Sequence, residues 1–192
     1  MPRRTGIADP AAMLCRMLTG ALVGLRARHD MDIPILEDEI LADVEQSSRI
    51  ASQPWRPISP GADSLFSFTP SPESAASFSV LELDGGTLAG AAMLRAIDSH
   101  NRSAHIGLAL RPAFRGRGLG TDTVRVLCHY AFVTLGLQRV QAETVADNDA
   151  MIRSAEHVGF TREGLLRKQV WVQGGFRDVV VLGVLADEWA QR

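Results

Sequence analysis

The chain has 192 residues, 46% of them hydrophobic and 22% charged, with a formal net charge of −2; this suits one globular domain with a full core and excludes wholesale disorder. Near-neutral charge and a pI of about 6.2 supply no global field for nucleic acid or an anionic membrane, so neither is an expected partner and any anion site must be local. Cys15 and Cys128 lie far apart without CxxC spacing, which argues against a zinc cluster or a disulfide framework, leaves no expected metal, and points to a reducing cytoplasm.

Residues 1–17 read as an N-terminal tail. The apolar run in "AAMLCRMLTGALVGL" is interrupted by Arg16 and is too short to cross a bilayer. "LTGALVGLRAR", residues 18–28, reads as a first strand, and "DIPILEDEILADVEQSSRI" from Asp32 as a helix with Pro34 in its first turn. The next segment is rich in Pro and Ser and carries Trp55, Phe66 and Phe68; a long irregular insert of this kind is often functional. "SFSVLEL" and "LAGAAMLRA" flank the turn signal Asp84 to Gly86, and "AHIGLAL" follows as a third strand, so this part reads as an antiparallel meander.

After it comes "RPAFRGRGLGTDTV", in which three arginines and three glycines precede an apolar-periodic helix of about four turns that ends at Gly136. "LQRVQAETV" is then a strand, and "DNDAMIRSAEHV" a short helix capped by Asp147 or Asn148 and closed by Gly159. Two β runs around Gly174-Gly175 finish the chain. The order predicts an α/β (α+β) fold built on a mixed, mostly antiparallel sheet flanked by helices.

The glycine-arginine loop carries the functional reading. A helix begins just beyond it, so the unpaired N–H groups of the first turn point into the loop. Gly116, Gly118 and Gly120 remove the Cβ atoms that would bar close approach. With the helix dipole, and with Arg115 and Arg117 as forked donors, that makes a place for phosphate. It is not a P-loop, because that pattern needs a lysine and the only lysine is Lys168. It is not a dinucleotide fingerprint either, since the spacing is GxGxG and a meander precedes it.

"RGRGLG", Arg115 to Gly120, resembles the [QR]xxGx[GA] acyl-coenzyme A signature of the GNAT superfamily of N-acetyltransferases. "VADNDAMIRSAEHVGF" and "EGLLRKQVWVQGGFRDVVVLGVL" are similar to the second half of that fold, in its ribosomal-protein N-terminal acetyltransferase (RimJ/RimL-like) branch. The resemblance runs from about Leu18 to the C-terminus, which makes residues 18–192 one GNAT-like domain. It implies a V-shaped split between the central strands that receives the pantetheine arm of acetyl-CoA as co-substrate. Backbone groups of Leu108, Ala109 and Leu110 would hold that arm. Arg115, Gly116, Arg117, Gly118, Leu119, Gly120 and Thr121 would hold the pyrophosphate, and Asn148 would contact the arm or cap its helix.

What the resemblance implies about activity is transfer of an acetyl group to a primary amine, either a protein or peptide N-terminus or a small amine, by direct attack on the thioester. Such chemistry needs a base, because a primary ammonium with a pKa near ~10 must first lose a proton. His105 stands where the branch usually has Glu in "EIG", and Glu143 on the facing strand is the second candidate. Asp178 is read as orienting the hairpin. Met151 departs from the family, which commonly has a serine there to serve the thiolate; water or Tyr130, the only tyrosine, remains for that proton, with Tyr130 read rather as a half-buried helix residue. That departure leaves a non-catalytic acyl-CoA-binding module as the alternative, while Trp55, Phe66, Phe68 and Trp171 are candidates to line the acceptor site. A homodimer is expected by analogy only.

Overall fold

The computed structural model describes residues 17–50, 55, 66, 71 and 73–191. The expected first strand is two, β1 (Leu18–Thr19) and β2 (Val23–Ala27), because the Gly20 N–H donates to the Val23 carbonyl and folds the segment into a hairpin. The helical pattern from Asp32 is also broken up. It begins as a 3-10 turn, Asp30–Asp32, runs through α1 (Ile33–Leu36) into a π turn, Glu37–Leu41, and resumes as α2 (Val44–Ile50). The meander is present as β3 (Ala76–Glu82), β4 (Leu88–Asp98) and β5 (Ser103–Leu110).

Beyond the loop, α3 (Leu119–His129) continues as a π turn, Tyr130–Thr134. Then come β6 (Arg139–Val145), α4 (Asp149–Val158), β7 (Thr161–Val172), β8 (Gly175–Leu185) and a short α5 (Ala186–Ala190) that the sequence pattern did not announce. The eight strands form one sheet in the order β1-β2-β3-β4-β5-β6-β8-β7. β5 and β6 pair in parallel, while the other neighbours pair antiparallel.

Period-two alternation divides the core between the two faces of this sheet. Ala104 and Ile106 of β5, Val140 and Ala142 of β6 and Leu182 of β8 pack with Val124, Leu127 and Cys128 of α3 and Ile152 and Ala155 of α4. On the other face, Leu81, Leu88 and Ala91 pack with Leu36, Ile40, Leu41 and Phe66. Among the described residues, that second cover ends partway along β4 and β5. Beyond it, polar side chains of the central strands lie half-buried or exposed.

One buried polar group fixes how α3 meets the sheet. The Asp122 carboxylate, in the first turn of α3, accepts the N–H groups of Leu22 (2.7 Å) and Val23 (3.1 Å) at the start of β2. A second buried carboxylate, Asp32, holds the α1 entry to the sheet through Arg26 (2.7 Å) and the hydroxyl of Ser79 (2.7 Å). Among the described residues, no helix is long and apolar enough to cross a membrane.

Candidate active site

The central seam opens where the site lies. β5 and β6 pair from Ser103↔Arg139 to Ile106↔Ala142 and then part, while β5 stays on β4 as far as Leu110↔Gly90 and β6 stays on β8 as far as Val145↔Val179. Each strand therefore keeps its outer neighbour and loses its inner one. Along Gly107 to Leu110 the backbone groups that face β6 have no strand partner among the described residues, so an extended arm laid in the slot would find a hydrogen-bonding edge. Leu108, Ala109 and Leu110, which the resemblance assigns to holding the arm, lie along this stretch, and the Leu110 carbonyl accepts from Arg115 Nε.

The loop after β5 closes the slot at its mouth. Pro112–Phe114 form a 3-10 turn, Gly116 has φ 70°, and Gly118 caps α3 with φ 81° and ψ −9°. A Cβ at Gly116 would meet nothing within 4 Å, so that glycine answers a backbone requirement and no crowding. Gly120 is the reverse case. Its backbone is ordinary, and a Cβ would make only ordinary contacts, with Leu110 Cδ1 at 3.7 Å and Ser154 Oγ at 3.8 Å. Neither the backbone nor crowding within the chain requires glycine there.

The arginines of the loop are not equivalent. Arg111 is spent on Glu39 of the π turn and on the Leu88 carbonyl, and Arg117 pairs with Glu82 while lying over the Phe114 ring. Arg115 donates from Nε to the Leu110 carbonyl (3.0 Å), and its terminal nitrogens have no partner among the described residues. Leu119 is buried and anchors the helix start, whereas Thr121 donates its hydroxyl to Ser154 Oγ (3.1 Å), joining α3 to α4 beside the slot.

Asn148 acts as the cap of α4. Its Oδ1 accepts from the Met151 N–H (3.3 Å) and its Nδ2 donates to Thr144 Oγ1 (2.8 Å), so both ends of the amide are occupied. Met151 packs its side chain against the core. Tyr130 lies edge-on to Phe78 and lines a cavity with Ile97, Arg102 and Leu137, at the opposite end of β5 from the slot, which removes it as a donor to a leaving thiolate. Asp178 accepts the Lys168 N–H (2.8 Å) and pins a bulge in β7, the orienting role expected of it.

His105 faces away from the α3 side, on the surface of the sheet beyond the α1 cover. Its Nδ1 is buried without a hydrogen-bond partner among the described residues and lies 3.8 Å from the Glu143 carboxylate. Burial pushes the imidazole below its ordinary range, repulsion from Arg95 and Arg139 adds to that, and attraction to Glu143 opposes it. At neutral pH the ring is therefore neutral and able to accept a proton. Glu143 is itself held by the Gln141 amide (2.8 Å), Gln141 by Arg139 (3.0 Å), and Arg139 by Glu163. A polar stripe thus crosses the sheet next to the slot.

The aromatic candidates separate. Phe66 is buried beneath the α1 cover with the Arg28 guanidinium over its ring. Trp55 donates its indole N–H to the Leu41 carbonyl (3.0 Å), and Trp171 sits 60% exposed at the hairpin tip, edge-on to Phe176. Phe68 and residues 1–16 of the N-terminal tail lie outside the described residues. Arg95, Gln141, Ser154 and Asp122 were not singled out from the sequence. Each takes its place only when strand register or helix contact is known, and no local pattern marks them.

Comparison with known proteins agrees with this geometry. Residues 23–161 match the family described as "Acetyltransferase (GNAT) domain". The chain is 36% identical over 104 residues to the "Putative ribosomal N-acetyltransferase YdaF" of Bacillus subtilis, an alignment covering 54% of this chain and 57% of that protein. It is 26% identical over 110 residues to the spermidine N(1)-acetyltransferase of Escherichia coli, covering 57% of this chain and 59% of that one. The chain thus spans little more than half the length of these curated relatives. Among solved structures, the spermidine N-acetyltransferase of Vibrio cholerae in complex with CoA and spermine superposes with a TM-score of 0.76 at 20% identity, covering 88% of this chain and 99% of that one. A RimL ribosomal L7/L12 alpha-N-protein acetyltransferase in complex with coenzyme A gives 0.72 at 21%, covering 90% and 99%. At those identities the likeness is one of fold.

Proposed function

The chain belongs to the GNAT acetyltransferase family, and on that premise we propose that it is an N-acetyltransferase moving the acetyl group of acetyl-CoA to a primary amine. The observation that carries this is the parting of β5 and β6 beyond Ile106 and Ala142 directly beside the glycine-capped start of α3. A slot with an open backbone edge, ending at a helix N-terminus, fits an extended arm tipped by a pyrophosphate. The amides of residues 116–121 and the free end of Arg115 would hold the phosphates, and Leu108 to Leu110 the arm. When bound, acetyl-CoA supplies the thioester that the amine attacks.

On this reading, His105 takes the proton from the incoming ammonium and Glu143 steadies the imidazolium that results. Met151 offers no proton, and no hydroxyl of Tyr130 reaches the slot, so the leaving thiolate draws its proton from water. The relatives carry names of a putative ribosomal N-acetyltransferase and a spermidine N(1)-acetyltransferase; for this chain the acceptor class proposed is a primary amine, on a protein or peptide N-terminus or a small molecule. The compartment proposed is the cytoplasm, where acetyl-CoA and reduced thiols coexist.

Calorimetric titration with acetyl-CoA tests the proposal, with Gly120→Glu as the control. The substitution leaves the backbone unstrained and fills the space between Leu110 and Ser154. Binding by the wild type, lost in the variant, together with thiol release in the presence of amines, supports the enzyme. Binding without thiol release for any amine would leave only an acyl-CoA-binding module, and no binding by folded protein would end both readings.

A further inference from the structure

Resting on the acetyltransferase reading, we propose that Arg95 recognises an anionic group on the acceptor, so that the preferred amine carries a carboxylate within a few atoms of the nitrogen that is acetylated. Arg95 stands directly opposite His105 in the β4/β5 register. Directly opposed residues share one face of a sheet, with their Cβ atoms about 5 Å apart. The candidate base and this guanidinium therefore share one patch of surface.

The charges of that patch are paired with one exception. Arg139 is held by Glu163, and Glu143 by the Gln141 amide, whereas the exposed Arg95 guanidinium has no hydrogen bond or ion pair among the described residues. The β4/β5 ladder also breaks immediately after it. The register shifts between Arg95 and Asp98, and Ala96 takes φ 49°, a left-handed conformation that a non-glycine residue seldom adopts. Bulges re-aim the side chains beside them, and backbone strain of this sort persists where the surroundings impose it.

The consequence for the acceptor follows from charge. Glu143 on one side of His105 favours an arriving ammonium, while Arg95 on the other side repels one. A substrate whose only charges are ammonium groups meets one attractive and one repulsive neighbour. An amine with a nearby carboxylate satisfies both, its nitrogen toward His105 and its anion forked by the guanidinium. Electrostatic arrangement of this kind selects among partners by the repulsion it imposes as well as by the pair it makes.

The carboxylate can come from a free amino acid or from an acidic first residue of a peptide, and paired substrates separate the two. L-alanine against L-alaninamide tests the first source, a peptide beginning Asp-Ala against one beginning Asn-Ala tests the second, and spermidine serves as the amine without an anion. In one acid-neutral pair the acid member is expected to have roughly tenfold higher kcat/KM, carried by KM, as a charge-assisted contact would give. Arg95→Gln should abolish that preference by raising KM for the acid member alone, with the Kd for acetyl-CoA unchanged, and Arg95→Lys should retain part of it. Equal kcat/KM within both pairs, preference for spermidine, or an equal loss for all substrates in Arg95→Gln would overturn the proposal. Should no amine be acetylated, the proposed enzyme falls, and titration of the same pairs into protein saturated with CoA still decides this point. Tighter binding of an acid member, lost in Arg95→Gln, sustains it; equal binding or none overturns it.

Discussion

His105 of β5 and Glu143 of β6 meet diagonally across the parallel seam, one step past the His105↔Gln141 register, with the imidazole Nδ1 3.8 Å from a carboxylate oxygen. Burial, followed by Arg95 and Arg139, holds the imidazole below its ordinary pKa, and Glu143 works against them. Acetylation that uses this imidazole as base should lose rate on the acid side at a pH below the ordinary ~6.5 of histidine. Removing the carboxylate in Glu143→Gln withdraws the one raising influence, so the acid limb should move to still lower pH. His105→Gln should cost roughly a hundredfold or more in kcat, the usual worth of a positioned base. The pH dependence of kcat/KM for the three proteins checks both statements, and an unmoved acid limb in Glu143→Gln would remove the carboxylate from the mechanism.

Asp32 makes a separate prediction about stability. Burial raises its carboxyl pKa, yet hydrogen bonds from Arg26, the His29 N–H and Ser79, with the Arg26 charge, outweigh burial and bring it down to about 2 from 3.8. A folded-state pKa below the unfolded one stabilises the protein above the unfolded value, and that contribution disappears as pH falls from near 4 toward 2. The shift corresponds to about 2 kcal/mol at neutral pH. Asp32→Asn should therefore cost about 3 kcal/mol at pH 7, since it also strands Arg26 with a side-chain exposure of only 12%. Urea denaturation should show the difference between the two proteins narrowing steadily as the pH is lowered through that window.

Gly118 and Gly120 are two residues apart in one motif and should respond to substitution in opposite ways. Gly118 has φ 81°, so Gly118→Ala should cost about 1 kcal/mol of stability through backbone strain alone. Gly120 has an ordinary backbone, and Gly120→Glu should fold with stability within about 0.5 kcal/mol of wild type, as an acidic residue suits the first turn of a helix. Its affinity for acetyl-CoA should nevertheless fall by roughly two orders of magnitude, because the side chain would fill the slot and oppose the pyrophosphate charge. Thermal unfolding and calorimetry on the same samples separate the two outcomes. A Gly120→Glu protein that bound normally would place the pyrophosphate elsewhere.

The sequence carried the elements around the candidate site further than it carried the first third of the fold. The loop, the helix behind it and the meander before it are local patterns: glycines at fixed offsets, alternation on β3 to β5, and a 3.6-residue period on α3. The break of the first segment into β1 and β2 was hidden because "LTGALVGL" is apolar apart from Thr19, so alternation could not reveal the turn at Gly20. The π turn at Glu37–Leu41 was hidden for a related reason, since a change of hydrogen-bond step barely alters apolar spacing. Asp122 and Arg95 were invisible because their meaning lies in long-range partners, Leu22 and Val23 for the first and the register with His105 for the second. Tyr130 is the half-buried helical residue that its place in the apolar-periodic segment suggests, and the helix carries it to the other end of β5.

Asp122 shows how a structural contact should reach the site. Its carboxylate holds two backbone N–H groups of the β1/β2 hairpin and also receives Arg125 Nη1 at 3.0 Å, all from the first turn of the helix that borders the loop. Asp122→Ala leaves those buried donors unpaired and should cost about 2–3 kcal/mol. Asp122→Asn keeps an oxygen for the two amides and should cost distinctly less. If the loop depends on this anchor, the alanine variant should also bind acetyl-CoA several-fold more weakly at a temperature where it remains folded.

Arg115 and Arg117 flank Gly116 symmetrically in the sequence, and the structure makes them unequal. The Arg117 guanidinium is committed to Glu82, a carboxylate with a side-chain exposure of 15%, and lies over Phe114. To serve a phosphate it would have to abandon that pair and leave the carboxylate uncompensated. Arg115 reaches the Leu110 carbonyl through Nε alone, and its two terminal nitrogens remain available at the mouth of the slot. Arg115→Ala should therefore weaken acetyl-CoA binding about tenfold, the worth of one charge-assisted contact, with little change in stability. Arg117→Ala should weaken binding no more than about threefold, and should lower stability because Glu82 loses its partner. Raising the salt concentration sharpens the comparison, since the exposed Arg115 contact is screened by salt: the gap in affinity between wild type and Arg115→Ala should close as ionic strength rises, while the stability defect of Arg117→Ala should change less. The reverse ranking of the two variants in affinity would mean that Arg117 exchanges Glu82 for the pyrophosphate when the cofactor binds.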